Sequence, residues 1–152
     1  MKKFQFRLQS LLKYKRHLEQ LAKQEMARAV ADVLACEQRM TGLQNDKISA
    51  ADQLESLVEK GMGAGQFNRY RQFITALDQM IILERTRKTE LEKILGDKRD
   101  ALKQRTIDKE SLERLREKQA REYTHEMIRE EQKSLDEIAS LRTAREVNNE
   151  RV

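Results

Sequence analysis

Apolar residues in the first part of the chain recur at alternating steps of three and four positions, with charged or amide side chains filling most positions between them. This spacing puts the apolar side chains on one face of an α-helix and is typical of the a and d positions of a coiled coil. Nearer the start of the chain, similar steps separate Leu8, Leu11, Leu18 and Ala22. The continuous part of this predicted seam is Met26, Ala29, Val33, Cys36, Met40, Leu43, Lys47, Ala50, Leu54 and Leu57.

A second, longer helical pattern follows in the rest of the chain. Charged residues interrupt it at Lys98, Arg105 and Lys109, but its apolar members continue for about fifty positions at helical spacing. We expect this segment to pack against the first helix. Its predicted seam consists of Leu91, Ile94, Leu95, Leu102, Leu112, Leu115, Tyr123, Met127, Ile128, Leu135, Ile138 and Leu141.

Three of the five glycines, Gly61, Gly63 and Gly65, separate the two patterns, and the chain has no proline. Glycine costs about 1 kcal/mol relative to alanine inside a helix, so the cluster predicts a reversal. The expected fold is all-α, an antiparallel two-helix coiled-coil hairpin with a longer second helix. We expect a single domain over residues 1–152, with helix 5–59, glycine turn 60–66 and helix 67–147.

The unequal helix lengths predict an uncovered end. Folding about residue 63 pairs Leu11 with Leu115, and the second helix then extends past the first beyond about residue 123. The apolar residues after that point are expected to have no partner in the same chain and to contact another chain. They are Met127, Ile128, Leu135, Ile138 and Leu141.

Composition supports long helices and narrows the chemistry. Charged residues make up 38% of the chain, aromatic residues 5%, and the net charge is +5. Basic residues concentrate before the first acidic residue, Glu19, and this cluster could meet an acidic protein surface or anionic lipid headgroups. The basic residues are Lys2, Lys3, Arg7, Lys13, Lys15 and Arg16.

Aromatic and aliphatic residues are concentrated just after the glycines. Tyr70, Ile74 and Ile81 are expected to close the end of the hairpin against Leu54, Leu57 and Val58. Phe73, Leu77 and Met80 lie at spacing i, i+4, i+7. This spacing suits an outward patch that docks a partner helix or an extended segment.

No catalytic motif is present in the sequence. A glycine-rich phosphate loop is missing, and the helix around His125 has Arg129 where a zinc-protease motif requires a second histidine. Cys36 is the single cysteine, which fits a reducing compartment. Basic residues alternate with acidic ones, unlike a nucleic-acid groove. We expect no enzyme activity, cofactor, metal, small-molecule ligand, nucleic acid, secretory signal or membrane span.

The opening sequence from Phe4 to Lys15 resembles the start of FliJ proteins of the bacterial flagellar type III export apparatus. The stretch from Asn68 to Ile74, followed by Leu77 and Ile81, is similar to that family's most recognisable segment. The resemblance implies a fold similar to the central stalk, the gamma subunit, of rotary ATP synthases. On the first helix, Leu43, Lys47 and Ala50 stand where relatives often carry tyrosines.

The resemblance also implies partners. Members insert the end with both termini into the hexameric ring of the export ATPase FliI, contact the export gate protein FlhA, and handle export-substrate chaperones. The gate contact falls on Phe73, Leu77, Met80 and Glu84. The ring contact is expected at Phe4, Arg7, Leu8, Leu11, Lys15, Met127, Ile128 and Leu135.

The sequence therefore predicts a non-enzymatic coupling protein, cytoplasmic and peripheral at the inner membrane. One alternative is the equivalent stalk of a virulence-type III secretion system. A second is a prefoldin-like holdase chaperone, although such chains carry strands between their helices. A third is a plain tether that dimerises through the uncovered stripe.

Overall fold

The computed structural model describes residues 3–151 and contains two long α-helices that pack against each other, with no strand in that range. Helix α1 runs over Gln9–Lys60, 52 residues, and helix α2 over Ala64–Asn149, 86 residues. The predicted all-α helical hairpin is confirmed. Lys2 of the basic cluster lies outside the described residues.

The helix boundaries differ from the predicted ones. Helix α1 begins at Gln9 rather than residue 5, and the connection is 61–63 rather than 60–66. Helix α2 begins at Ala64 rather than 67 and ends at Asn149 rather than 147. Gly65 is thus helical, because one glycine costs only about 1 kcal/mol within a long cooperative helix.

Gly61 makes the reversal. Its φ of 89° lies in the left-handed region, which glycine adopts without the strain that a Cβ would cause, and its N–H donates to the Val58 carbonyl at 3.2 Å. Lys60 supplies a positive charge to the last turn of α1, where the helix dipole favours it. The Phe67 N–H donates to the Gly63 carbonyl at 3.1 Å and starts the hydrogen bonding of α2.

The chain divides into two compact units. The turn unit is Leu18–Arg105 and contains the glycine connection. The terminal unit combines the chain up to His17 with the chain from Thr106 onward. That the whole chain forms a single domain stays a prediction.

In the turn unit the two helices are antiparallel. Three interhelical ion pairs, Glu25 with Lys98 at 3.1 Å, Glu37 with Lys88 at 3.3 Å, and Lys47 with Asp78, advance along α1 while they retreat along α2. All members of the seam from Met26 to Leu57 are buried or half-buried, as predicted. The most buried apolar residues of the unit are Ala29, Cys36, Ala50, Leu77, Ile81 and Leu95.

In the terminal unit the core differs from the predicted one. Leu12 is fully buried and Phe6 nearly so, whereas Leu8 and Leu11, placed in the first-helix pattern from the sequence, are exposed. The sequence offered two adjacent leucines, and the phase of α1 places Leu12 inward. Ion pairs join Lys15 to Asp108 at 3.6 Å and Arg16 to Glu113 at 3.3 Å.

The end of α2 is uncovered from Ile128 onward, as predicted, whereas the prediction that Met127 is also uncovered is wrong. Met127 is half-buried, and every described residue after it is exposed. Within residues 3–151, neither helix has a stretch long and apolar enough to cross a membrane.

Candidate functional site

A groove of about 410 Å³ lies between α1 and α2 in the turn unit. Met80 and Leu83 are 50% and 69% exposed there, and Leu43 is half-buried. Gly42 leaves the α1 side open, because a Cβ at this position would have no heavy atom within 4 Å. The groove residues are Arg39, Gly42, Leu43, Asp46, Met80, Leu83 and Glu84.

Two residues that line the groove, Arg39 and Glu84, form a polar cluster with Cys36. The fully buried Cys36 thiol lies 3.2 Å from Oε2 of Glu84 and 3.4 Å from the Glu84 backbone oxygen, and donates its hydrogen bond to that residue. The Arg39 Nε donates to the same Oε2 at 3.4 Å. This carboxylate therefore joins a buried thiol on α1 to a guanidinium at the surface.

The protonation states follow from these contacts. Burial raises the pKa of the Cys36 thiol, and the hydrogen bond and the negative charge of Glu84 raise it further. The hydrogen bond from Cys36 lowers the pKa of the Glu84 carboxyl, and the charges of Arg39 and Arg87 lower it too, against the opposite effect of burial. Near neutral pH the cluster is a neutral thiol, a carboxylate and a guanidinium.

The patch predicted after the glycines is only partly outward. Phe73 and Met80 are 53% and 50% exposed. Leu77 is 5% exposed, so its predicted outward position is wrong. Tyr70 and Ile74 are half-buried and Ile81 is buried, which agrees with their predicted inward position, whereas Val58, which was expected to pack against them, is exposed. Leu77 follows Ile74 by three positions and precedes Ile81 by four, which puts it in the helix–helix seam.

Glu84 also differs from a simple surface residue. Its side chain is 19% exposed and is held by the contacts to Cys36 and Arg39. Any partner that uses Glu84 must therefore meet a carboxylate that is already paired.

The start of the chain has an ordered arrangement in the terminal unit. The centroids of the Phe4 and Tyr123 rings are 5.7 Å apart, and the ring planes form an angle of 46°. Lys15 is held by Asp108, whereas Arg7, Leu8 and Leu11 are exposed on the surface. These side chains include every residue of the predicted ring contact from the first part of the chain.

The remaining predicted ring-contact residues lie on α2. Met127 is half-buried, and Ile128 and Leu135 are exposed. The structure therefore brings Phe4 together with Tyr123, one turn before Met127, and leaves Ile128 and Leu135 open for contact.

Sequence reasoning missed the polar cluster and the exposure of Leu83. The spacing from Leu77 through Ile81 to Glu84 is four then three, which places Glu84 in the seam opposite α1. That spacing was a usable signal for Glu84. Ile82 and Leu83 lie in one apolar run, and the sequence does not indicate which of them lines a groove. Within residues 3–151, no group of three or more His, Cys, Asp or Glu side chains is placed to hold a metal ion.

Comparison with known proteins agrees with the family resemblance of the sequence. A family model described as "FliJ: Flagellar FliJ protein" matches residues 4–148. The chain is 24% identical over 143 residues to the flagellar FliJ protein of Bacillus subtilis strain 168, covering 90% of this chain and 92% of that protein. No solved structure matches significantly.

Proposed function

The chain belongs to the FliJ family of flagellar proteins, and on that premise we propose that it is a non-enzymatic coupling component of the bacterial flagellar type III export apparatus. The observation that carries the proposal is the groove of the turn unit. It exposes the apolar side chains of Met80 and Leu83, and its lining includes Met80 and Glu84, two of the residues at which the family resemblance locates the contact with the export gate.

The gate contact is proposed at the groove and at Phe73. Met80, Leu83 and Phe73 offer exposed apolar area, and Gly42 leaves room for an incoming side chain. Such a surface suits docking of a helix or an extended segment. Leu77 has a supporting role here, since it packs beneath the surface and has almost no area to offer a partner.

The ATPase contact is proposed in the terminal unit. Arg7 and Lys15 contribute positive charge, and Leu8, Leu11, Ile128 and Leu135 contribute exposed apolar area. An apolar surface with a basic rim suits insertion into a ring with an acidic lumen. Phe4 and Met127 are partly covered and position their neighbours.

Coupling requires no covalent chemistry in this proposal. A protein that contacts ring subunits unequally changes their conformational equilibria by its differential affinity for their states. Contact with the gate FlhA at the groove then links the ring of FliI to the membrane apparatus. The protein works at the cytoplasmic face of the inner membrane, and the handling of export chaperones belongs to the same proposal.

The gate contact is tested with Phe73→Ala combined with Met80→Ala, expressed in a strain that lacks the native protein. We expect loss of swimming in soft agar and loss of co-purification with the gate, with helicity by circular dichroism unchanged. Ile82→Ala is the matched control, since Ile82 is at least as exposed as Phe73 and Met80 but lies outside the groove. Wild-type swimming by the double variant would refute the gate contact.

The ring contact is tested with the purified export ATPase. Addition of the chain is expected to stimulate ATP hydrolysis and ring assembly, and Leu8→Ser combined with Leu11→Ser should reduce both. Ile107→Ser is the control, because Ile107 is exposed in the same unit and absent from the proposed contact. Stimulation that is identical for all three proteins would exclude the proposed surface.

A further inference from the structure

The later part of α2 exposes a line of large apolar side chains. After Met127 every described residue of the helix is exposed, and Leu135 reaches 65%. Ile128 and Ile138 lie on the same side of the helix as Leu135, at steps of seven and three. An apolar line of this kind on a soluble helix normally packs against another element.

Charged residues continue this line at the same spacing. The steps along it are three, four, three, four and three, which is the spacing of a coiled-coil seam. We call this set the α2 stripe: Ile128, Glu131, Leu135, Ile138, Arg142 and Arg145. Within residues 3–151, no ion pair involves its three charged members.

The order of acidic, apolar and basic residues along the α2 stripe is self-complementary. The acidic residue Glu131 precedes the apolar centre formed by Leu135 and Ile138, and the basic residues Arg142 and Arg145 follow it. Two copies that run in opposite directions therefore bring acid against base. Two copies that run in the same direction bring Glu131 against Glu131 and Arg142 against Arg142, which is unfavourable.

We propose that the α2 stripe binds the α2 stripe of a second copy of this chain, antiparallel, about a two-fold axis between positions 136 and 137. Leu135 then packs against Ile138 of the second copy, and Ile138 against its Leu135, at the centre. Glu131 pairs with Arg142 of the second copy on each side. Ile128 packs along the aliphatic part of the other Arg145 at each end.

The charge order of the stripe also indicates that its partner is a second copy of this chain. Another helix would fit only if it carried a base, two apolar residues and an acid in the order that opposes this stripe, and the stripe itself supplies that order when reversed. The heptad spacing of the seam is kept through all six positions, so both helices can follow it without a break.

The size of the contact sets its strength. Residues 128–145 span about 27 Å of helix. A pair of helices of this length buries less than the roughly 1,200 Å² typical of stable complexes. The dimer is therefore expected to form at micromolar or higher concentration and to exchange readily.

One consequence rests on the proposed function. Ile128 and Leu135 belong both to the stripe and to the proposed ring contact, so a dimer and a ring-bound monomer exclude each other. The self-association itself does not depend on the ring, and its test needs only the purified chain.

The test is sedimentation velocity of the full chain from about 5 µM to about 1 mM. The wild-type chain is expected to pass from monomer to dimer in this range. Leu135→Ser should raise the dissociation constant at least about tenfold, because each dimer loses two central contacts. Ile107→Ser, the exposed control outside the stripe, should leave the dissociation constant unchanged.

Charge reversal tests the antiparallel pairing. Glu131→Arg alone, or Arg142→Glu alone, should weaken the dimer about three- to tenfold, because each opposes like charges twice. The two changes together restore opposite charges and should restore the wild-type constant. Added salt should reduce these differences.

Three results would overturn the proposal. The first is a chain that stays monomeric at all concentrations. The second is a dimer whose constant Leu135→Ser leaves unchanged. The third is a double reversal as weak as the single changes. If the chain is monomeric while Leu135→Ser abolishes ATPase binding, the stripe belongs to the ring, and the proposed function survives without the dimer.

Discussion

Replacing Leu77 by alanine tests the corrected position of this residue in the helix–helix seam. Leu77 is 5% exposed, whereas Phe73, one turn earlier, is 53% exposed. Leu77→Ala removes three buried carbon atoms, worth about 2.4 kcal/mol at about 0.8 kcal/mol each. The cavity left behind adds to the loss, so we expect destabilisation of about 2–4 kcal/mol. Phe73→Ala removes area that is already half in water and should cost less than about 1 kcal/mol.

The assay is urea and thermal unfolding followed by circular dichroism at the helix band. For a chain of this size, 1 kcal/mol shifts the midpoint by roughly 2–4 °C, so Leu77→Ala should melt at least about 4 °C below wild type. Phe73→Ala should melt less than about 4 °C below wild type. The reasoning fails if the two variants are equally destabilised, or if Leu77→Ala melts with wild type.

Three further predictions concern the reversal and the polar cluster. Gly61→Ala should destabilise the folded chain by about 1–2 kcal/mol, because Gly61 has a φ of 89°. Gly63 lies in open space and has no positive φ, so Gly63→Ala should change the unfolding midpoint little. Equal unfolding midpoints for the two variants would refute this. The pKa of the Glu84 carboxyl is lowered in the folded state, so Glu84 adds stability above its unfolded pKa, and this stability is lost as pH falls through the folded pKa. Glu84→Gln should therefore lower the urea midpoint at pH 7 and not at strongly acidic pH. A difference between the variant and wild-type midpoints that stays constant with pH would contradict this. Cys36 should react with a thiol reagent only at the rate of unfolding, as followed by absorbance, since its thiol is fully buried with a raised pKa; fast reaction in the native state would disprove its burial.

The sequence predicted the fold well where its apolar pattern had one phase. From Met26 to Leu57 a single line of residues has the steps of a seam, and all are buried or half-buried in the structure. The glycine cluster located the reversal to within a few residues, because one of its members adopts a positive φ.

The pattern failed where apolar residues cover more than one helix face. Leu11 and Leu12 are adjacent, and both fit a helical repeat, but only Leu12 is buried. Leu77 likewise fits both the outward spacing with Phe73 and the inward spacing with Ile81. Such alternatives are decided by the packing of the opposite helix, which spacing within one helix does not specify.

The candidate site was predictable in position but not in detail. Phe73 and Met80 were placed on the surface from the sequence and are exposed. The contact between Cys36 and Glu84 joins residues 48 positions apart, and it depends on the register between the helices.

The central claim, that the groove of the turn unit contacts the export gate, is tested most directly by site-specific photo-crosslinking in flagellated cells. A photoreactive amino acid is placed at Met80 in the groove or at Ile82, which is at least as exposed but about 200° further around α2. The account predicts a crosslink to the export gate protein from position 80 and none from position 82. A crosslink from position 82 alone, or from neither position in cells that swim normally, would contradict it.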